Sequence, residues 1–304
     1  MKVQSKHRKI IGLMGAVCLS ASLLLIPAYV CRPTKEDATA AAFLTQLICP
    51  MTPAISMDDS ASWYKCKLYI YNTPPGLGAS YQTAELYCRP GQPFSYSQKP
   101  LSAQIKPQAY YEAEQRQPPS IPSEPGEYYY YFRFQKPLNM ESAFKELAPL
   151  YEYSNEEITY GIVWLPIKTE ESLAGVTLGL RGNLTTFYTQ DLADTESAQD
   201  NYHNGLLYKE QRFFEDELRW LENNKKRVEK LEKSGLYGEL MPIDFENRHK
   251  YVKEHGYQLY GVYAFGDEHL PERIKDRNLI LQELYKVKSE SPDRVIRQPK
   301  KHRN

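Results

Sequence analysis

The chain lacks an excess of either charge. Lys plus Arg number 38 and Asp plus Glu number 38 in 304 residues, so the formal net charge is zero. Binding a phosphate backbone draws on a basic surplus, so no nucleic-acid partner is expected. The spacings that carry common chemistries are missing as well. There is no close C-x-x-C or H-x-x-x-H pair to hold a metal, no H-E-x-x-H, and no G-x-S-x-G. The glycines of "SLAGVTLGL", Ser172 to Leu180, do not follow G-x-G-x-x-G and no G-K-[ST] follows them, so the segment reads as a short strand or a loop. Histidine is scarce, with six scattered copies; His249 and His255 fall in a charged helical stretch and read as solvent-facing. Neither a cofactor nor a metal is expected, and the chain reads as a non-enzyme.

Tyrosine is abundant, with 25 copies. Tyrosine suits strands and half-buried faces, which favours sheet with an amphipathic surface. Apolar residues make up 41% and charged residues 25%, enough for a packed core in one large or two modest domains.

The N-terminus sets the compartment. Lys2, Lys6, Arg8 and Lys9 precede an uncharged run from Ile10 to Val30. About 20 apolar residues cross a bilayer core of roughly 30 Å. The basic flank favours keeping residues 1–9 in the cytoplasm, and Tyr29 stands where an interfacial aromatic would. The leading reading of 10–30 is a single transmembrane signal anchor. A cleaved signal peptide, with sites at Ala28 or the alanines after Asp37, and a lipoprotein acylated at Cys31 are the alternatives. All three place the bulk of the chain outside the cytoplasm, with the cell membrane as its address.

Cys18 lies in the apolar run; Cys31, Cys49, Cys66 and Cys88 lie beyond it, an even number for an oxidising compartment. Four cysteines allow three pairings. Cys66–Cys88 is favoured, because both sit on strand-like segments around a turn-rich stretch; unpaired or partly paired thiols are the alternative.

The order of elements reads as α+β. Ala38 to Leu47 forms a short helix leaving the membrane. "WYKCKLYIYN" alternates, with Tyr64, Cys66, Leu68 and Ile70 on one face and Lys65, Lys67, Tyr69 and Tyr71 on the other. "TPPGLGAS" breaks it and "YQTAELYCR" resumes, giving a hairpin with a long loop. Residues 90–125 are proline-rich and mark a boundary. "EYYYYFRF", Glu127 to Phe134, is a strand covered on both faces and ended by Pro137. Asn139 caps a helix whose inner stripe is Ala143, Phe144, Leu147 and Leu150. "ITYGIVWLPI" is a second strong strand, halted at Pro166, and the β-α-β order suggests a sheet with a helix on one face. One long helix is expected from about Leu206 to Lys233, stopping at Gly235, and another from Asp244 to Gly256 with Phe245 and Val252 inward. Gln258 to Phe265 is then a buried, central strand; Gly266 lets the chain turn away from the sheet at a positive φ, and Asp267 suits a turn or cap. The resulting organisation is a short cytoplasmic N-terminus (1–9), an anchor (10–30), a hairpin and proline-rich segment (31–125), an outer domain (126–290) and a basic tail (291–304). The tail, with Arg294, Arg297, Lys300, Lys301, His302 and Arg303, reads as solvated.

Three stretches together resemble a known family. They are "YYYYFRFQKPLNMESAFKEL" followed by "ITYGIVWLPI" with Trp164, then "FFEDELRWLENNKKRVEKL", then "YVKEHGYQLYGVYAFGD" with Gly256, Tyr260-Gly261-Val262 and Gly266. Over Gly126 to Leu284 the chain resembles the C-terminal, extracytoplasmic domain of the sigma factor regulator type of anti-sigma factor from Gram-positive bacteria. The resemblance implies a sensory domain in transcription regulation and signalling, with a cytoplasmic sigma-binding segment, one transmembrane helix and an outer domain. Here Met1 to Lys9 alone precede the apolar run, too few residues to hold a sigma factor, so action through a membrane or envelope protein partner is expected.

The competing reading is an envelope-associated glycan-binding or glycan-hydrolysing protein. Hydrolysis would need two carboxylates across a cleft, such as Glu156 or Glu157 with Asp267. Glycan binding would use stacking surfaces such as Tyr128 to Tyr131, although in a strand at least half of these belong to the core.

Overall fold

A computed structural model describes residues 33–50, 52, 55–57, 65–71, 81–87, 94–96, 101, 119–151, 161–170, 176–182, 202–238 and 242–287. The fold is mixed α+β, with two antiparallel sheets and six helices among the described residues. The apolar run 10–30, the carboxylates Glu156 and Glu157, Cys31, Cys88 and the basic tail lie outside them. Among the described residues no helix is long and apolar enough to cross a membrane.

The first element is helix α1, Lys35–Ile48. Thr34 opens it with a reciprocal capping box: its side chain accepts from the Asp37 amide, and the Asp37 carboxylate accepts from the Thr34 amide at 2.8 Å. Four short strands follow, β1 (Ile55–Met57), β2 (Lys65–Tyr71), β3 (Tyr81–Tyr87) and β4 (Ser95–Tyr96), paired in chain order as one sheet. Strands β2 and β3 form the expected hairpin, with Cys66 opposite Leu86 and Tyr71 opposite Tyr81. Alternation sorts their faces. Cys66, Leu68, Ile70, Ala84 and Leu86 are buried, and the lysines and tyrosines between them face outward.

The second sheet has five strands: β5 (Glu127–Asn139), β6 (Gly161–Ile167), β7 (Leu178–Arg181), β8 (Gln258–Asp267) and β9 (Leu279–Lys286). Their spatial order is β7-β6-β8-β5-β9, and every neighbouring pair is antiparallel. Helix α2 (Met140–Tyr151) links β5 to β6, yet these two strands are parallel and are not neighbours, because β8 lies between them. A short helix α6 (Leu270–Arg273) links β8 to β9 around β5 in the same way. The two units interleave as split β-α-β crossovers. Strand β7 and helices α3 (Tyr202–Asn223), α4 (Lys225–Glu232) and α5 (Phe245–His255) are inserted between β6 and β8.

Strand β8 is therefore the middle strand of five, as its unbroken apolar run predicts, and Val262 is fully buried. Asn139 ends β5 and caps α2, accepting from the Ser142 amide at 2.9 Å; Ala143, Leu147 and Leu150 point into the core and Phe144 packs on its margin.

Four boundaries differ from the sequence reading. Neither proline ends its strand. Strand β5 continues through Pro137, because its register against β8 jumps from Arg133–Gly261 to Leu138–Leu259. Its pairing with β9 has already ended at Phe134–Leu279, so Pro137 sits where the ladder asks for no donor. Pro166 likewise lies in β6 at a break in register with β8. The expected long helix is two helices: Asn224 donates its side-chain amide to the Trp220 carbonyl at 2.8 Å, and its own backbone restarts the chain as α4. Gly266 is a paired strand residue opposite Tyr128, and its φ is not positive. The chain leaves the sheet one residue later. The positive φ falls instead at Gly256, at 72°, where α5 closes.

One continuous apolar core joins α1, the inner face of the small sheet, one face of the large sheet and helices α2 to α5. The other face of the large sheet is a separate aromatic cluster containing Tyr129, Tyr131, Trp164, Tyr260, Tyr263 and Phe265.

Candidate functional site

Two of the motif residues that carry the family resemblance, Trp164 and Tyr260, lie on the aromatic face of the large sheet. Tyr131 and Tyr263 stack with centroids 4.6 Å apart, Trp164 meets Tyr263 edge-on at 5.9 Å, and Tyr129 meets Phe265 edge-on at 5.2 Å. Tyr260 belongs to the same cluster and is 5% exposed. Burial drives the Tyr263 phenol well above its usual range, with Glu283 adding to the effect. Val262 points the other way, into the main core.

Gly261 between them has a steric reason. A Cβ there would overlap the Phe132 carbonyl oxygen and sit 2.8 Å from the Arg133 Cα, both backbone atoms of the neighbouring strand. Strands β5 and β8 approach so closely at this irregular point that only glycine fits. The Tyr-Gly-Val motif thus sets a sheet geometry and presents no reactive group. Tyr128 to Tyr131 are all buried, at 0 to 4% exposure, so they offer no stacking platform.

Asp267, the carboxylate singled out for hydrolysis, serves the turn into α6. It accepts from the His269 amide at 3.0 Å and faces Arg273 at 3.4 Å, while its carbonyl takes the Tyr130 hydroxyl at 2.7 Å. The neighbouring Glu268 accepts from the Gly126 amide at 3.0 Å, and hydrogen bonds from backbone amides hold its carboxyl below the usual range. Cys66 is buried opposite Leu86, with its sulfur 3.9 Å from the Leu86 carbonyl; its expected partner Cys88 is outside the described residues.

His249 corrects the solvent-facing reading. It is 7% exposed on α5 and its Nδ1 lies 3.4 Å from the Glu222 carboxylate of α3. Beside it, Arg248 is buried against Thr169, the Val176 carbonyl and Glu170, the last at 2.8 Å. A second buried pair, Arg181 with Glu217, fastens β7 to α3. Removing one partner of such a pair leaves an uncompensated buried charge. His255 remains exposed, stacked on Tyr251 at 4.2 Å.

The arrangement that bears most directly on function is the seat of α1. Three polar links hold the helix to the domain. Arg227, near the start of α4, contacts the buried Asp37 carboxylate at 3.0 Å and the Thr34 hydroxyl at 2.8 Å. Tyr237, just past α4, donates to the Ala41 carbonyl at 3.0 Å and lies 3.0 Å from the Thr45 hydroxyl. Trp164 of β6 donates its indole hydrogen to the Gln46 carbonyl at 2.9 Å. Between these links Ala40, Ala41, Leu44, Leu47 and Ile48 enter the main core. The partners stand more than 100 residues away in sequence, which is why a linear reading passes over them. The one local signal was the Thr34–Asp37 spacing of a capping box.

Among the described residues no group of His, Cys, Asp or Glu is arranged to hold a metal ion. Compared with family models, curated proteins and solved structures, the chain matches none.

Proposed function

We propose that the chain is a membrane-anchored, extracytoplasmic sensory and regulatory domain of the kind seen in anti-sigma factor regulators. It acts by binding a membrane or envelope protein partner and performs no chemistry of its own. The observation that carries this reading is the seat of α1. Four residues, 31–34, separate Val30, the end of the apolar run, from Lys35, where the helix begins. Four residues of chain reach about 14 Å at most. The first folded element outside the bilayer would then be embedded in the domain core and tied to β6, α4 and the loop after α4. A force or an occupancy change felt by the domain would pass to such an anchor through packed side chains and a connection only four residues long. The resemblance of the Tyr-Gly-Val strand and the Trp164 strand to the sigma factor regulator domain supports the regulatory class.

Protease shaving of protoplasts carrying a C-terminal tag tests the topology. The tag is expected to be cleaved from outside while the untreated protein stays in the membrane pellet. A protected tag, or a soluble tagged product in the medium, would reject the anchor. Deletion is expected to change transcription of a defined gene set, and a secreted form without residues 10–30 is expected not to restore it. Full restoration by the secreted form would reject regulation through the anchor.

A further inference from the structure

Helix α4 carries charge that its packing does not use. Between Lys225 and Lys233 stand five cations and two carboxylates, Glu229 and Glu232, in a chain whose formal net charge is zero. Val228 and Leu231 take the helix into the main core, while Lys226, Glu229, Lys230 and Lys233 are exposed on its other side. Lys226, Lys230 and Lys233 stand at i, i+4 and i+7, so they share one face. Glu232 is half-buried and accepts from the Ile243 amide, so it does not belong to that face.

The arrangement works against the helix. Lys225, Lys226 and Arg227 fill its first turn, and no acidic residue stands there. The positive end of the helix dipole disfavours cations at that end, and Lys226 with Lys230 is a like-charge pair one turn apart. Some of the cations are spent inside the fold. Arg227 holds Asp37 and Thr34 of α1, and Lys225 faces Glu246 of α5 across 3.5 Å in an exposed pair. Lys230 lies 5.5 Å from the Phe94 ring centroid. Lys226 has no hydrogen bond or ion pair among the described residues.

The position of α4 says what the lysines meet. Arg227 contacts Thr34 at 2.8 Å, and Thr34 is the fourth residue after Val30. Four residues span about 14 Å at most, and the eight residues of α4 are only about 12 Å long. With 10–30 as the anchor, the first turn of α4 is tethered at the bilayer surface. The potential of an anionic surface falls off within about 10 Å, so only cations tethered this near feel it.

We propose that the Lys226, Lys230 and Lys233 face of α4 docks on anionic headgroups of the membrane that anchors the chain. The ammonium groups meet lipid phosphates, and the docked helix sets the tilt of the domain on the bilayer. The inference rests on the anchor reading, because without it nothing holds α4 beside a membrane.

The test uses the full-length protein in nanodiscs of phosphatidylcholine with or without phosphatidylglycerol. Each lysine is acylated with an uncharged N-hydroxysuccinimide ester, and the rates are mapped by mass spectrometry. In anionic discs Lys226, Lys230 and Lys233 are expected to react about fivefold more slowly, and to recover as salt rises. Lys145, exposed on α2 and no part of this face, is expected to keep its rate. Lys226→Glu puts an acid where the helix dipole favours one, so its thermal midpoint in detergent should not fall. The same variant is expected to lose the protection of Lys230 and Lys233. Equal rates in the two lipids, equal slowing of Lys145, or full protection in Lys226→Glu overturns the docking face. Equal protection by soluble polyphosphate over phosphatidylcholine discs overturns the membrane as its ligand. A chain that fails to co-elute with the discs overturns the anchor and the docking together, whereas co-elution with unprotected lysines overturns the docking alone.

Discussion

Tyr237 gives its phenol hydrogen to the Ala41 carbonyl at 3.0 Å, tying the turn after α4 to the middle of α1. With that hydrogen spent, the phenol oxygen accepts from Thr45, also at 3.0 Å. Both residues are buried, and burial drives the Tyr237 phenol well above its usual range. Tyr237→Phe keeps the ring and removes both bonds. Thr45 can turn back to the Ala41 carbonyl one helical turn away, so the expected cost is near the low end, about 1 kcal/mol. Cys49, at the end of α1, is a buried thiol whose pKa burial raises, so it reacts only when the helix opens. Site-mapped alkylation of Cys49 in the native protein should therefore run about fivefold faster in Tyr237→Phe. An unchanged rate would show that α1 is not held by this contact.

Val262→Asp places a charge in the middle strand, on the core face, with no partner. The expected cost is several kcal/mol, enough to unfold a domain of ordinary stability. Asp267→Ala removes one turn hydrogen bond and one partly exposed ion pair, worth about 1 kcal/mol together. Circular dichroism and limited proteolysis should find Val262→Asp unfolded and Asp267→Ala near wild type. A folded Val262→Asp would contradict the central position of β8.

Gly261→Ala drives a methyl group into the backbone of β5. The atoms it meets are backbone of a paired strand and cannot swing aside as a side chain would, so the expected loss is about 1–3 kcal/mol, read as a lower denaturation midpoint with an unchanged slope. The control, Gly235→Ala, meets no atom within 4 Å, though its φ of 81° carries its own strain of about 1 kcal/mol. Equal losses at the two sites would show that the close approach of β5 and β8 adds nothing.

Glu232 is half-buried at the end of α4, and burial raises its pKa above 4.5 despite a hydrogen bond from the Ile243 amide at 3.3 Å. A carboxyl with a raised folded-state pKa holds its proton more tightly when folded. Its contribution to stability is thus present below the unfolded value of 4.5 and is lost as pH rises through the folded value. Glu232→Gln keeps the acceptor and removes the charge. At pH 7 the variant should be more stable, by at most about 1 kcal/mol after solvent screening. That advantage should vanish below pH 4.5. Thermal melts at both pH values check it, and a pH-independent difference would count against the burial of this carboxylate.

The α+β class, the hairpin of β2 and β3, the buried strand β8 and the inner stripe of α2 are legible in the residues alone. Each of these is a local periodicity, two for a strand and 3.6 for a helix, and a periodicity is written in neighbouring residues. Tertiary structure decided the rest. It put β8 between β5 and β6, which adjoin in sequence order but not in space, because strand pairing is settled by which faces can be buried together. It carried β5 and β6 through Pro137 and Pro166, because a missing amide costs nothing where the ladder is already broken. It turned His249 inward to Glu222 and sent all four of Tyr128 to Tyr131 into the core, while Tyr81 stayed in water. Composition shows 25 tyrosines but not which of them a second layer will cover, because burial is a property of partners far along the chain.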